Sequence, residues 1–230
     1  MSQTFTLQGT SHELSCTYHP PIELDPEASY SLGLIGFRTY NTIPNIEHGT
    51  NKFYYDSKVV TIPDGSYEIE DIEKYLKAEL GEKDDEKLIS LSPNNNTLQC
   101  NLRCKYAVDF RRKDSIGSLL GFSPRVLKAN ENHFSDLPVN IIKVSSVRIE
   151  CNVVTGAYYG SRLSHTLFEF SPDVNPGYAI NIVPSNVVYL PITVKTIDNI
   201  TLKILDQRGH PVNFRGEPVL IRLQLKKDGN

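Results

Sequence analysis

The sequence predicts an all-β fold, a sandwich or jelly roll of two antiparallel sheets. Three observations carry this. Apolar and polar residues alternate in many short runs, the period-two signature of half-buried strands. Fourteen Gly and fourteen Pro separate those runs, as the turns of an all-β chain require. Only one long segment has the helical period. The tally is about eight to twelve short strands, one helix over about 68–80 and a one- to two-turn helix over about 115–121, which excludes an α/β fold. The 230 residues suffice for one eight-stranded roll with excursions, read as one domain over 1–230, with 1–29 an N-terminal arm or extra edge strands.

The clearest runs are the last two. In Ile200–Leu205, Leu202 and Ile204 share one side. In Val219–Lys226, Val219, Ile221, Leu223 and Leu225 share a face, opposite Arg222, Gln224 and Lys226. Asp206 and Gly209 favour a turn between them. The simplest expectation is two antiparallel strands closing a sandwich.

In chain order, Thr4–Gln8 and Glu13–Tyr18 are short strands, the second stopped by Pro20–Pro21. Tyr30–Tyr40 is apolar on both sides in its middle, as a covered central strand is. Gly33 and Gly36 read as close-packing or bulge positions, since a phosphate cradle needs more glycines and a following helix. Lys52–Ile62 is a strand pair or one bent strand, and Pro63-Asp64-Gly65 a turn. Then Ile69, Ile72, Leu76 and Leu80 form one helical stripe, with Glu70, Asp71 and Glu73 early and Lys74 and Lys77 later, an order that suits the helix dipole. Residues 88–91 and 97–102 read as a short hairpin around Pro93–Asn96. Asp114 and Gly121 read as caps of the short helix. Residues 125–142 read as a polar surface excursion. Val144–Val154, Leu167–Phe170, Tyr178–Val183 and Val187–Leu190 are strands, with a turn over 156–160.

Composition narrows function. The net charge of −3 and pI near 6.1 do not mark a dedicated nucleic-acid binder. The start lacks a basic segment followed by an apolar core, so no secretory signal is expected, and no apolar run is long enough for a helical membrane span. Cys16, Cys100, Cys104 and Cys151 are then expected as free thiols. The spacing of Cys100 and Cys104 is not that of a zinc knuckle. The six His form neither HxH nor HExxH, and no G-x-S-x-G elbow or P-loop occurs. No catalytic residue, metal ligand or cofactor is therefore assigned, and no ligand-binding residue is identified. The absence of Trp argues against a lectin face.

Two segments of opposite charge stand out. Residues 66–87 hold nine acids and four bases, a net of −5, and residues 103–113 hold five bases and one acid. Glu70 and Asp71 on one side, with Arg103, Lys105, Arg111, Arg112 and Lys113 on the other, are candidate assembly contacts. The alternatives are solvated surface or, for the basic segment with Tyr106 and Phe110, phosphate and base contact.

A set of short motifs adds a resemblance. Tyr189-Leu190-Pro191, Ile197-Asp198-Asn199-Ile200, Asp206-Gln207-x-Gly209, Val212-x-Phe214 and Gly216, followed by the last strand, resemble the penton-like minor capsid proteins of Maverick/Polinton elements and adintoviruses. Ile62-Pro63-Asp64-Gly65-Ser66-Tyr67 with its helix, and Leu119-Leu120-Gly121-Phe122, are similar to that family too. The resemblance runs from about residue 30 to the end. It implies a single jelly roll that self-associates, as a homopentamer, at the vertices of an icosahedral shell beside a double-jelly-roll major capsid protein and other vertex proteins. It implies a virion location, after synthesis in the cytoplasm or nucleus of a host cell, and no reaction. The alternatives are a jelly-roll binding module that recognises glycan or protein through loops such as 125–142, and a jelly-roll enzyme.

Overall fold

The computed structural model describes residues 2–83 and 85–228. The first three strands are β1 (Ser2–Gly9), β2 (Glu13–Glu23) and β3 (Tyr30–Tyr40). Next come β4 (Lys52–Tyr55), β5 (Lys58–Thr61), the helix α1 (Ile69–Leu80), β6 (Ile89–Pro93), β7 (Gln99–Cys104), β8 (Val108–Asp109), β9 (Val126–Leu127) and β10 (Asn132–Pro138). The last group is β11 (Val147–Cys151), β12 (Ala157–Tyr159), β13 (Arg162–Ser164), β14 (Thr166–Phe170), β15 (Ala179–Ile182), β16 (Tyr189–Pro191), β17 (Thr196–Asp206) and β18 (Val219–Lys227). The chain forms two compact units, residues 1–43 with 144–230, and residues 44–143.

The first unit is the jelly roll. One sheet has the order β1-β18-β3-β15, with β16 also on β3, and the other the order β14-β11-β17-β2. All pairings are antiparallel. With the short β12, β13 and β16 set aside, eight strands of this unit remain, and β1 pairs with β18, β2 with β17, β3 with β15 and β11 with β14: first with last, second with seventh, third with sixth, fourth with fifth. That is one long antiparallel hairpin rolled into two sheets, the jelly-roll winding. The strands alternate as predicted. Phe5, Leu7, Leu32, Leu34, Phe37, Ile221 and Leu223 from one sheet meet Leu14, Val147, Ile149, Ile200, Leu202 and Ile204 from the other in one core. Phe37 and Phe170 cross that core with ring centroids 4.8 Å apart, and Phe5 and Tyr18 do so at 5.5 Å. Each such buried side chain contributes about 1.5–3 kcal/mol relative to exposure.

The glycines of β3 act as expected. Gly36 pairs with Arg222 and Leu34 with Leu223, so Ile35 is an extra residue, a bulge. A Cβ on Gly33 would lie 2.6 Å from Val187 Cγ1 and 3.0 Å from the Tyr189 ring. Close approach of β16, rather than a turn, demands that glycine.

The structure corrects several expectations. The last two strands do not pair. β17 lies in one sheet, hydrogen-bonded between β11 and β2, and β18 in the other, between β1 and β3, so each finds its ladder partners far away in sequence rather than in its neighbour. The chain between them bends at Asp206, whose carboxylate accepts from the N–H groups of Arg208 and His210 at 2.8 Å each. It then buries Val212 and Phe214. Pro20–Pro21 does not stop β2. The strand lies at a sheet edge, and the register shift between Ile197 and Asn199 places the prolines in a bulge where no ladder donor is needed. The turn over 156–160 opens the hairpin β12–β13.

In the second unit the sheets have orders β5-β4-β8-β9 and β10-β7-β6, with α1 packed on β6. Ile69, Ile72 and Leu76 of α1 are buried, as the stripe requires. Glu68 and Asp71 form a capping box, and Gly81 ends the helix at φ +74°. Among the described residues α1 is the one helix. The expected helix over 115–121 is instead a run of tight turns. Ser115 bridges to Lys52, and the Asp114 carboxylate is drawn to Lys52 at 3.0 Å and to the Tyr54 hydroxyl at 3.0 Å, so it caps nothing. Ile116, Leu119, Leu120 and Phe122 are all buried, on more sides than one helical stripe provides. Residues 125–142 are also more regular than expected, since they contain β9 and the seven-residue β10.

Gly81 and Gly121 both have positive φ, yet a Cβ on Gly81 meets nothing within 4 Å while one on Gly121 would lie 2.2 Å from the Leu137 carbonyl oxygen. Gly81→Ala is therefore expected to cost about 1–2 kcal/mol, the left-handed penalty alone. Gly121→Ala should cost clearly more, as read from urea unfolding of both variants, and equal costs would contradict the packing described.

Candidate assembly surfaces

Both charged segments fall in the second unit, and most of their charges have local partners. Arg111 donates from Nε and Nη2 to the two oxygens of Asp109, at 2.9 Å each. That fork holds the Asp109 carboxyl at about 2. Lys105 pairs with Glu86. Arg112 lies 5.5 Å over the Tyr54 ring. Among the described residues, Arg103 and Lys113 form no ion pair, and both are exposed. On the acidic side, Asp71 accepts from the Glu68 N–H at 3.2 Å, while Glu70 is exposed at the first turn of α1. Of the candidate contacts, Arg103, Lys113 and Glu70 thus have charge to offer a neighbour at the least intramolecular cost.

Apolar surface lies elsewhere. In the first unit, Tyr158 and Leu163 face each other across the β12–β13 hairpin and are 72% and 60% exposed. The same hairpin sends Tyr159 over the buried guanidinium of Arg148, 4.1 Å from the ring centroid, and its hydroxyl donates to the Gln207 carbonyl at 2.9 Å. Arg148 also pairs with Glu150 at 3.3 Å. The hairpin is strapped to the outer face of its sheet by a cation–π contact, and its two apolar tips point to solvent. Sequence reasoning missed this element. Its signal was the short alternation in Arg162-Leu163-Ser164 after the tyrosine pair Tyr158-Tyr159, masked by the glycines Gly156 and Gly160.

Nothing described so far is a reaction centre. Among the described residues no group of three or more His, Cys, Asp or Glu is placed to hold a metal ion. All four cysteines are free thiols. Burial pushes Cys100 up to about 12 and Cys151 up to about 11, far from the thiolate form that nucleophilic chemistry needs. No helix among the described residues is long and apolar enough to cross a membrane.

The Asp109–Arg111 fork makes a pH-dependent prediction. Because the folded Asp109 carboxyl titrates below its ordinary value, its contribution to stability is present above about pH 4 and is lost as the pH falls towards about 2. Arg111→Ala is expected to return the Asp109 carboxyl towards the ordinary range in an NMR titration. An unmoved titration would show that Arg111 is not its cause.

Comparison with known proteins bears on the fold. No protein-family model matches the chain, and no curated protein is similar to it in sequence. Among solved structures, the penton protein of mavirus is similar, with a TM-score of 0.53 and 12% sequence identity, over 99% of this chain and 100% of that one. The likeness extends to both ends, so it includes residues 1–29, for which the sequence motifs suggest no relative. In fold, the chain is an all-β jelly roll similar from end to end to a penton protein, as the motifs from about residue 30 onward led one to expect.

Proposed function

We propose that this chain is a structural capsid subunit that occupies the vertices of an icosahedral shell and works by self-association, as a homopentamer. The observation that carries the reading is the end-to-end likeness in fold to the mavirus penton protein. In this reading both compact units act as one shell subunit, the partners are further copies and a double-jelly-roll major capsid protein, the location is the virion, and no reaction is catalysed. A ring requires heterologous contacts, one patch against a different patch on the next copy. The opposite charges of 66–87 and 103–113, and the apolar tips Tyr158 and Leu163, supply unlike patches on one chain. The charges would steer and register the encounter, and the apolar tips would contribute affinity.

Mass photometry of the purified chain tests the reading. Particles near five times 25.9 kDa are expected. Lys113→Glu should shift them towards the single-chain mass at the same concentration, with thermal melting of the subunit unchanged. A wild-type chain that stays at its single-chain mass at high concentration would overturn the proposal.

A further inference from the structure

The outer face of the β10-β7-β6 sheet carries a cavity that includes two of the candidate assembly contacts, Arg103 and Lys105. This cavity of about 310 Å³ is lined by Lys87, Ser90, Asn101, Arg103, Lys105, Asn130 and Asn132, with Leu88 and Ile89 at its base. Strand register builds it. Ser90, Arg103 and Asn132 stand opposite one another on three neighbouring strands, and Asn101 stands opposite Phe134. Directly opposed residues share a face. The other face of β7, with Cys100, Leu102 and Cys104, is buried in the core, so its pocket residues point outward on a fixed support. Phe134 is 53% exposed on that same face.

The lining is chemically selective. It has three cations and no acid, in a chain whose net charge is −3. One cation, Lys105, is balanced by Glu86, while Arg103 has no ion-pair partner among the described residues. An unpaired guanidinium in a concave site suits a carboxylate or sulfate, which it meets with a planar fork. Three asparagine side chains supply both donors and acceptors, which sugar hydroxyls need and a bare anion does not. The Asn101 Oδ1 atom is buried and accepts no hydrogen bond from the chain. An exposed aromatic ring beside such a polar set gives the apolar face of a pyranose something to stack on, and Phe134 takes that part in a chain without Trp. The volume lies at the small end of ligand pockets, enough for one or two sugar rings. A single-stranded nucleic acid would need a longer basic groove and several stacking rings.

We propose that this face binds an acidic saccharide, with Arg103 holding its carboxylate or sulfate, Asn101, Asn130 and Asn132 its hydroxyls, and Phe134 its ring face. Isothermal titration calorimetry of the full chain tests this with a heparin-derived tetrasaccharide, 3′-sialyllactose, lactose and a short single-stranded DNA. The sulfated and sialylated probes separate the two sources of negative charge. One or both should bind, and lactose should not. Arg103→Glu and Arg103→Gln should each weaken binding by about ten-fold or more, as loss of a charged fork does. Asn101→Ala and Phe134→Ala should weaken it several-fold, and Lys203→Glu, in the first unit, should leave it unchanged. The proposal falls if neither acidic saccharide binds, if the DNA binds as tightly, or if Lys203→Glu weakens binding as much as Arg103→Glu. The readout is independent of ring formation, so it separates this site from the capsid reading.

Discussion

The jelly roll depends on one strand having two partners. β18 is hydrogen-bonded to β1 on one edge and to β3 on the other, so the end of the chain lies between its beginning and its first central strand. The apolar face of β18 is essentially dry: Val219, Ile221 and Leu223 are 0% exposed and Leu225 is 2%. A one-residue slip would turn Arg222, Gln224 and Lys226 into the core. The bulge at Ile35 keeps that register on the β3 side despite the extra residue. These contacts join residues about 200 apart in sequence, so the loop entropy of closing the roll is compensated by burial of two sheet faces rather than by local structure.

Much of this was legible from residue patterns, because alternation reports which side of a strand is dry. The helix was legible for the same reason: Ile69, Ile72 and Leu76 fix a stripe, and Glu68, Asp71 and Gly81 mark its ends. What local pattern could not reveal was partnership. Leu202 and Ile204 alternate as Ile221 and Leu223 do, and nothing in either run says that the two belong to opposite sheets. Pro20–Pro21 and the 115–121 segment misled in a related way. A proline breaks a ladder only where a donor is needed, and Asp114 caps a helix only if no lysine competes for its carboxylate. Of the candidate surface, the charged segments were visible as composition. The hairpin strapped over Arg148 and the face that joins Ser90, Arg103 and Asn132 depend on strand register, which a linear reading does not contain.

The division of labour within the chain follows from these contacts. The first unit has a continuous two-sheet core and long strands, the features of a stiff brick. The second unit hangs its charged segments and its polar sheet face on a separate core. In the proposed reading, a subunit that fits against its own copies needs rigid faces, and one that also binds a saccharide needs an outward face free of packing duty. Arg103, which has no ion-pair partner among the described residues, sits on such an outward face of β7.

The claim beneath all of this is that the last two strands belong to opposite sheets of one closed roll. Lys203 on β17 and Arg222 on β18 both point outward, on sheets that stack about 10 Å apart. Spin labels at these two positions, measured by double electron–electron resonance, should therefore lie well beyond about 15 Å, since the labels extend away from a sandwich of that thickness. A separation near the roughly 5 Å spacing of paired strands would place both in one sheet and contradict the account.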